Sequence, residues 1–150
     1  MPQNGRLKRL LYLVAIDGSP SGAKAREVAA ELASKMGAEL RVVTVEDFEH
    51  LRREVGRGRA RPQLQRTMRD AAEVLVERER AKAERQTGPV SDKVLSGAEA
   101  AEALVKYAEG EGADMLIVGS RGLAGIERVL LGSVAERVVR LAHCPVLVVR

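Results

Sequence analysis

Three short runs of this chain are apolar without interruption: Leu10–Ile16, Met115–Val118 and, behind Pro145, Val146–Val149. A strand with one wet face alternates polar and apolar residues, so a strand that does not alternate needs cover on both faces. A parallel sheet with helices above and below supplies that cover. The segments between the runs carry the matching helical signals, so these short runs constrain the fold more than any other feature.

Leu10–Ile16 closes at Asp17-Gly18-Ser19-Pro20, where Ser19 reads as a helix N-cap and Pro20 as the first helical residue. Ala25, Val28, Ala29, Leu32, Ala33 and Met36 follow at helical spacing, and Gly37 is a C-terminal stop. Glu39–Val45 is a second strand. From Leu64 a helical pattern (Leu64, Met68, Ala71, Ala72, Leu75) runs into alternating Glu, Arg and Lys up to Arg85 and stops at Gly88-Pro89. Val90–Leu95 is a weaker third strand. Ala101, Leu104, Val105 and Ala108 mark another helix, ended by Gly110 and Gly112. After Met115–Val118, a glycine-rich connection leads to a helix from Ser133 to Ala142, and Pro145–Val149 is the last strand. The order β-α-β-α-β-α-β-α-β predicts one α/β domain over residues 1–150, a doubly wound, Rossmann-like five-stranded parallel sheet with helices on both faces. Residues 46–65, broken by Gly56, Gly58 and Pro62, are expected to form an exposed loop.

Composition narrows the function. With 150 residues, 45% of them hydrophobic, the chain has enough for one core and too little for two ordinary domains. No apolar stretch is long enough to cross a membrane. The single cysteine, Cys144, cannot form an internal disulfide, and no metal-type Cys/His cluster exists, so a cytoplasmic setting is expected. The N-terminus lacks the features of a secretory signal. The formal charge of +4 is uneven: Arg52–Arg69 holds seven arginines against one glutamate, which leaves the rest slightly acidic. Nucleic acid is a poor partner, because single-strand binding uses aromatic platforms and the only aromatics are Tyr12, Phe48 and Tyr107. The arginine cluster reads as a solvated loop, or as a contact for an anionic partner or a lid over a bound triphosphate.

In open parallel sheets, ligands sit beyond the carboxyl ends of the strands, where the strand order reverses. Asp17, Val45-Glu46-Asp47 and the loop after the fourth strand converge there. That loop reads Gly119-Ser120-Arg121-Gly122, then nine residues, then Gly132-Ser133. Glycines at a strand exit admit positive φ and close backbone approach, and successive N–H groups in such turns cradle anions. Ser133 is expected to open a helix, with Glu136 completing a Ser-x-x-Glu capping box. A helix N-terminus beside such a nest favours phosphate, and Arg121 adds a charge-assisted contact. Asp17 has two readings, a helix-capping group or a nucleotide contact.

Gly119-x2-Gly122-x9-Gly132-Ser133 resembles the nucleotide signature of the universal stress protein family, in its ATP-binding branch. Asp17-Gly18-Ser19, Val43–Asp47, Ala113–Gly119 and His143–Val149 resemble that family's first, second, fourth and closing strand regions, in order and over nearly the whole chain. The resemblance implies sheet order 3-2-1-4-5, with ATP across the carboxyl ends of strands one and four. It places Ala15, Ile16 and Asp17 against adenine and ribose, and Val45 against the base. Gly119, Arg121 and Gly122 would follow the ribose and phosphates, and Gly132, Ser133, Val134 and Ala135 would hold the phosphates. With no aromatic at the strand exits, adenine is expected between aliphatic groups such as Ile16 and Val45. Mg²⁺ would arrive with the nucleotide, held by phosphate oxygens and water. The resemblance also implies a homodimer through the last strand, residues 145–149.

No catalytic set is visible. There is no Gly-x4-Gly-Lys-Ser/Thr loop, no Gly-x-Ser-x-Gly elbow and no Ser/His/Asp set. His143 at a helix C-terminus reads as a dipole partner, Cys144 as a small buried apolar residue, and His50 carries no signal. The functional expectation is an ATP-binding regulatory module of the stress response. The alternatives are a nucleotide-dependent α/β enzyme, by slow hydrolysis or by adenylyl or phosphoryl transfer, and a family member without ATP that acts through protein partners.

Overall fold

The computed structural model describes residues 8–47, 61–121 and 131–150. Five strands, β1 (Leu11–Ala15), β2 (Glu39–Asp47), β3 (Val90–Gly97), β4 (Met115–Gly119) and β5 (Val146–Val149), form one sheet in the order β3-β2-β1-β4-β5. All four pairings are parallel. Among the described residues the helices are α1 (Pro20–Met36), α2 (Arg61–Thr87), α3 (Ala100–Glu111) and α4 (Ser133–Leu141). β1 is central, and the chain winds out to β2 and β3, then crosses back to β4 and β5. The reversal lies between β1 and β4.

Each sheet face buries its own core. On one face Tyr12, Val14, Ile16, Leu40, Val42 and Ile117 pack against Ala25, Ala29, Ala30 and Ala33 of α1 and Val76 and Ala83 of α2. On the other, Leu11, Leu13, Val43, Leu116 and Val118 pack against Leu104, Val105 and Ala108 of α3 and Ala135 and Val138 of α4. Leu13 and Val14 are adjacent, point to opposite faces and are both fully buried. Neither face of β1 meets water, as its unbroken apolar run requires. Burial of each such side chain is worth about 1.5–3 kcal/mol.

The local punctuation is as expected at α1. Ser19 is the N-cap, its Oγ accepting the Gly22 N–H at 3.1 Å, and Gly37 closes the helix in the left-handed region at φ 63°. At α3 the stop is Gly112 alone, with φ 64°, while Gly110 lies inside the helix. The loop expected over 46–65 is shorter at both ends. Glu46 and Asp47 extend β2 because they pair with Ser96 and Gly97 of β3. Helix α2 starts at Arg61, with Pro62 in its first turn, where the missing N–H is no loss. The intervening residues 48–60, with most of the arginine cluster, lie outside the described residues.

Helix α2 also does not dissolve after Leu75; it continues to Thr87. Its buried stripe runs through Val76 and Ala83 with Glu79 between them, 4% exposed. Glu79 Oε2 accepts from Arg26 Nε of α1 at 2.8 Å, and its Oε1 takes Lys82 Nζ at 3.0 Å. Arg26, 6% exposed, also reaches Gln86 Oε1 at 3.3 Å. A charged pair in the stripe hides the helical period from a count of apolar residues.

Candidate functional site

At the switch point, two helices present their N-termini to the carboxyl edge of the sheet. The β1 exit is tightly bonded. The Ile16 N–H donates to Val43 O at 2.9 Å, and Thr44 Oγ1 donates to Ile16 O at 2.8 Å. Asp17 Oδ1 accepts the Ser19 N–H at 2.9 Å, a turn bond from a residue to the second one on, across Gly18 at φ 84°. One Asp17 oxygen therefore serves the turn, and the exposed side chain keeps its second oxygen.

Ile16 and Val45 do not face each other across a slot. Ile16 is 4% exposed and belongs to the α1–α2 face, whereas Val45 packs on the opposite face, where Ala15 is its partly buried companion. The reason is the two-residue period of a strand: Thr44 is the residue level with Ile16, and Val45 points the other way. Ala15 and Val45 are partly buried aliphatic residues at this edge.

The β4 exit differs from the expected open nest. The Ser120 N–H donates to Val149 O at 2.7 Å, the Arg121 N–H to Ser21 Oγ at 3.2 Å, and the Gly132 N–H to Ser120 O at 2.7 Å. These three amides are already spent. Neither Gly119 nor Gly132 has a positive φ. Gly119 is required for another reason: a Cβ there would lie 2.5 Å from Ser21 Oγ and 2.8 Å from the Ser21 carbonyl carbon. Gly122 lies outside the described residues.

Among the described residues of this connection, the amides outside those bonds are in the first turn of α4. Gly132, not Ser133, is the N-cap, with φ −61° and ψ 155°, and among the described residues no side chain caps the helix. The first intrahelical bond is Glu136 N–H to Gly132 O at 2.9 Å. The helix begins at Ser133 as expected, but the Ser-x-x-Glu box is absent because Gly132 holds the N-cap position and Ser133 is the first helical residue instead. Ser133, Val134 and Ala135 precede that first bond, so their amides carry the helix's unpaired positive end. Ser133 and Val134 are exposed and Ala135 is buried as the anchor of the turn.

Two further groups lie near this edge: Ser21, which had no sequence signal, and Glu46, which the sequence placed at the β2 exit without a role. Ser21, in the first turn of α1, gets its role only from its contact with a residue 100 positions away. Glu46 Oε1 accepts from Ser96 Oγ at 2.6 Å, and its buried Oε2 has no hydrogen-bond partner among the described residues. The reactive-looking residues stay quiet. Burial pushes the Cys144 thiol up, away from the reactive thiolate, and exposed His143 lies 3.7 Å from Glu109. Among the described residues, no group of three or more His, Cys, Asp or Glu gathers as a metal site, and no helix is long and apolar enough to cross a membrane.

Known proteins share this fold. The universal stress protein family model matches residues 12–150. The universal stress protein YxiE of Bacillus subtilis is 32% identical over 153 residues, covering 92% of this chain and 97% of its own. The solved structure of MJ0577 from Methanocaldococcus jannaschii superposes with a TM-score of 0.81 at 27% identity, covering 93% of this chain and 94% of its own. A universal stress protein solved in complex with cAMP superposes at 0.67 with 26% identity, covering 95% and 97%. With the sheet order and the match over residues 12–150 in agreement, the chain belongs to the universal stress protein family.

Proposed function

We propose that this protein is an adenine-nucleotide-binding regulatory module whose ligand is ATP, carried with Mg²⁺. The observation that carries the reading is the uncapped first turn of α4, whose Ser133, Val134 and Ala135 amides stand at the switch point of a doubly wound sheet. A phosphate chain satisfies those amides, and the Ser133 hydroxyl and Arg121 guanidinium add polar contacts. Gly119, Gly122 and Gly132 keep the backbone beside ribose and phosphates free of side chains. Asp17 meets the ribose with its second oxygen. The base lies against Ala15 and Val45, with Ile16 buried behind them. A relative of the same fold holds cAMP, which is consistent with an adenine site here.

Phosphate oxygens and water would hold Mg²⁺, the usual arrangement for this ion. The described residues hold nucleotide without supplying an evident general base, so turnover is expected to be slow or nil. We assign the protein to the cytoplasm on its lone, unactivated Cys144. We also assign it a homodimer through β5, an edge strand with half-buried Val146, Leu147 and Val148.

The test is to denature purified protein, identify any released nucleotide, and titrate the stripped protein with ATP, ADP, AMP and cAMP by calorimetry. Tightest binding of ATP supports the reading; no adenine nucleotide binding below about millimolar refutes it. Preference for cAMP over ATP would keep the site and change the ligand. Steady turnover at about 1 s⁻¹ or faster would make the protein an enzyme.

A further inference from the structure

We propose that Ser21 is a positioning residue for phosphate recognition, holding the β4 exit against α1 so that the Arg121 side chain meets the nucleotide's phosphates. The inference rests on the nucleotide reading above. Ser21 sits in the first turn of α1, where serine is a poorer helix former than alanine. Capping does not explain it, because Ser19 already caps this helix through Gly22 N–H. Its Oγ instead accepts the Arg121 N–H at 3.2 Å, joining residues 100 apart in the chain.

The contact is close as well as polar. Gly119 approaches Ser21 so nearly that a Cβ would fall 2.9 Å from the Ser21 carbonyl oxygen. One residue further on, the Ser120 carbonyl accepts Gly132 N–H, the N-cap of α4. Ser21 therefore fixes the same short segment that seats the anion-binding helix. Because Ser21 occupies the Arg121 amide, Arg121 addresses a phosphate through its guanidinium, from a backbone that cannot drift.

The experiment compares Ser21→Ala with Ser19→Ala, which weakens the same helix without touching Arg121. ATP and adenosine are titrated into each, and amide exchange of the segment containing Arg121 is followed in nucleotide-free protein. Ser21→Ala is expected to weaken ATP about fivefold, the worth of one hydrogen bond, with adenosine nearly unchanged. Exchange at Arg121 should accelerate in Ser21→Ala and not in Ser19→Ala. Equal loss of ATP and adenosine, matching behaviour of the two variants, or unchanged Arg121 exchange each overturns the proposal. If wild type binds neither ligand, the nucleotide reading itself falls and takes the phosphate role with it. The exchange measurement would still decide whether Ser21 holds the β4 exit.

Discussion

Helices α1 and α4 begin at the same edge of the sheet, and they finish their first turns in opposite ways. α1 is closed. Ser19 caps it, Asp17 braces the cap, Pro20 brings no N–H, and Arg26 locks the helix to Glu79 of α2. α4 is open: a glycine cap offers no side chain, although the helix is docked by buried Ala135 and Val138 and by Arg137, which reaches Glu99 at 3.0 Å and also pairs with Glu102. The same fold thus contains one N-terminus capped by a side chain and one whose cap residue has none.

The contrast can be broken most strongly on the closed side. Glu79→Ala leaves Arg26 buried without its main counter-charge and should cost about 3–5 kcal/mol in chemical denaturation. Its pH dependence is also set. Burial opposes the Glu79 charge, but Lys82 and Arg26 prevail and hold its carboxyl below the usual range. The stabilisation is therefore fully present above the ordinary carboxylate pKa and is lost as pH falls through the lowered native value. The gap between wild type and Glu79→Ala should stay constant above that window and narrow in acid.

Gly119→Ala attacks the join between the two helices. Its Cβ meets Ser21 backbone, which cannot swing away, so a loss of about 1–3 kcal/mol is expected, read as a lower melting temperature. Gly132→Asp would convert the open terminus into a closed one. Gly132 already has an extended backbone that any residue adopts, so the new carboxylate can cap α4. Thermal stability should rise while ATP affinity falls about tenfold, the value of roughly 1.4 kcal/mol of lost or competed contacts. A variant that gains stability and keeps ATP would show that the phosphates are not at α4. Ser19→Ala is the mildest change, costing about 1 kcal/mol of stability with nucleotide affinity unmoved.

Much of the fold was legible because its determinants are local. Unbroken apolar runs marked the buried strands, and Ser19, Gly37 and Gly112 marked helix ends by their own conformational preferences. Helix α2 was only half legible, because Glu79 occupies an apolar position in its stripe and is explained only by Arg26, 53 residues earlier. That Ile16 and Val45 belong to opposite faces of the sheet was not legible, because a list of strand-exit residues does not say which side each faces. The β4 loop was recognisable by its glycine spacing, but the spacing did not show which amides were free.

The sequence by itself determined an α/β chain with buried parallel strands, the caps of α1, and a glycine-spaced segment characteristic of the family. Those features depend on propensities and periods carried by neighbouring residues. Only the tertiary structure decided that Gly132 rather than Ser133 caps α4, that Gly119 is there for Ser21, and that the Ser120, Arg121 and Gly132 amides are occupied. Hydrogen-bond partners far apart in sequence are chosen by how strands and helices pack. The set of donors left for a ligand is what remains after that packing is complete.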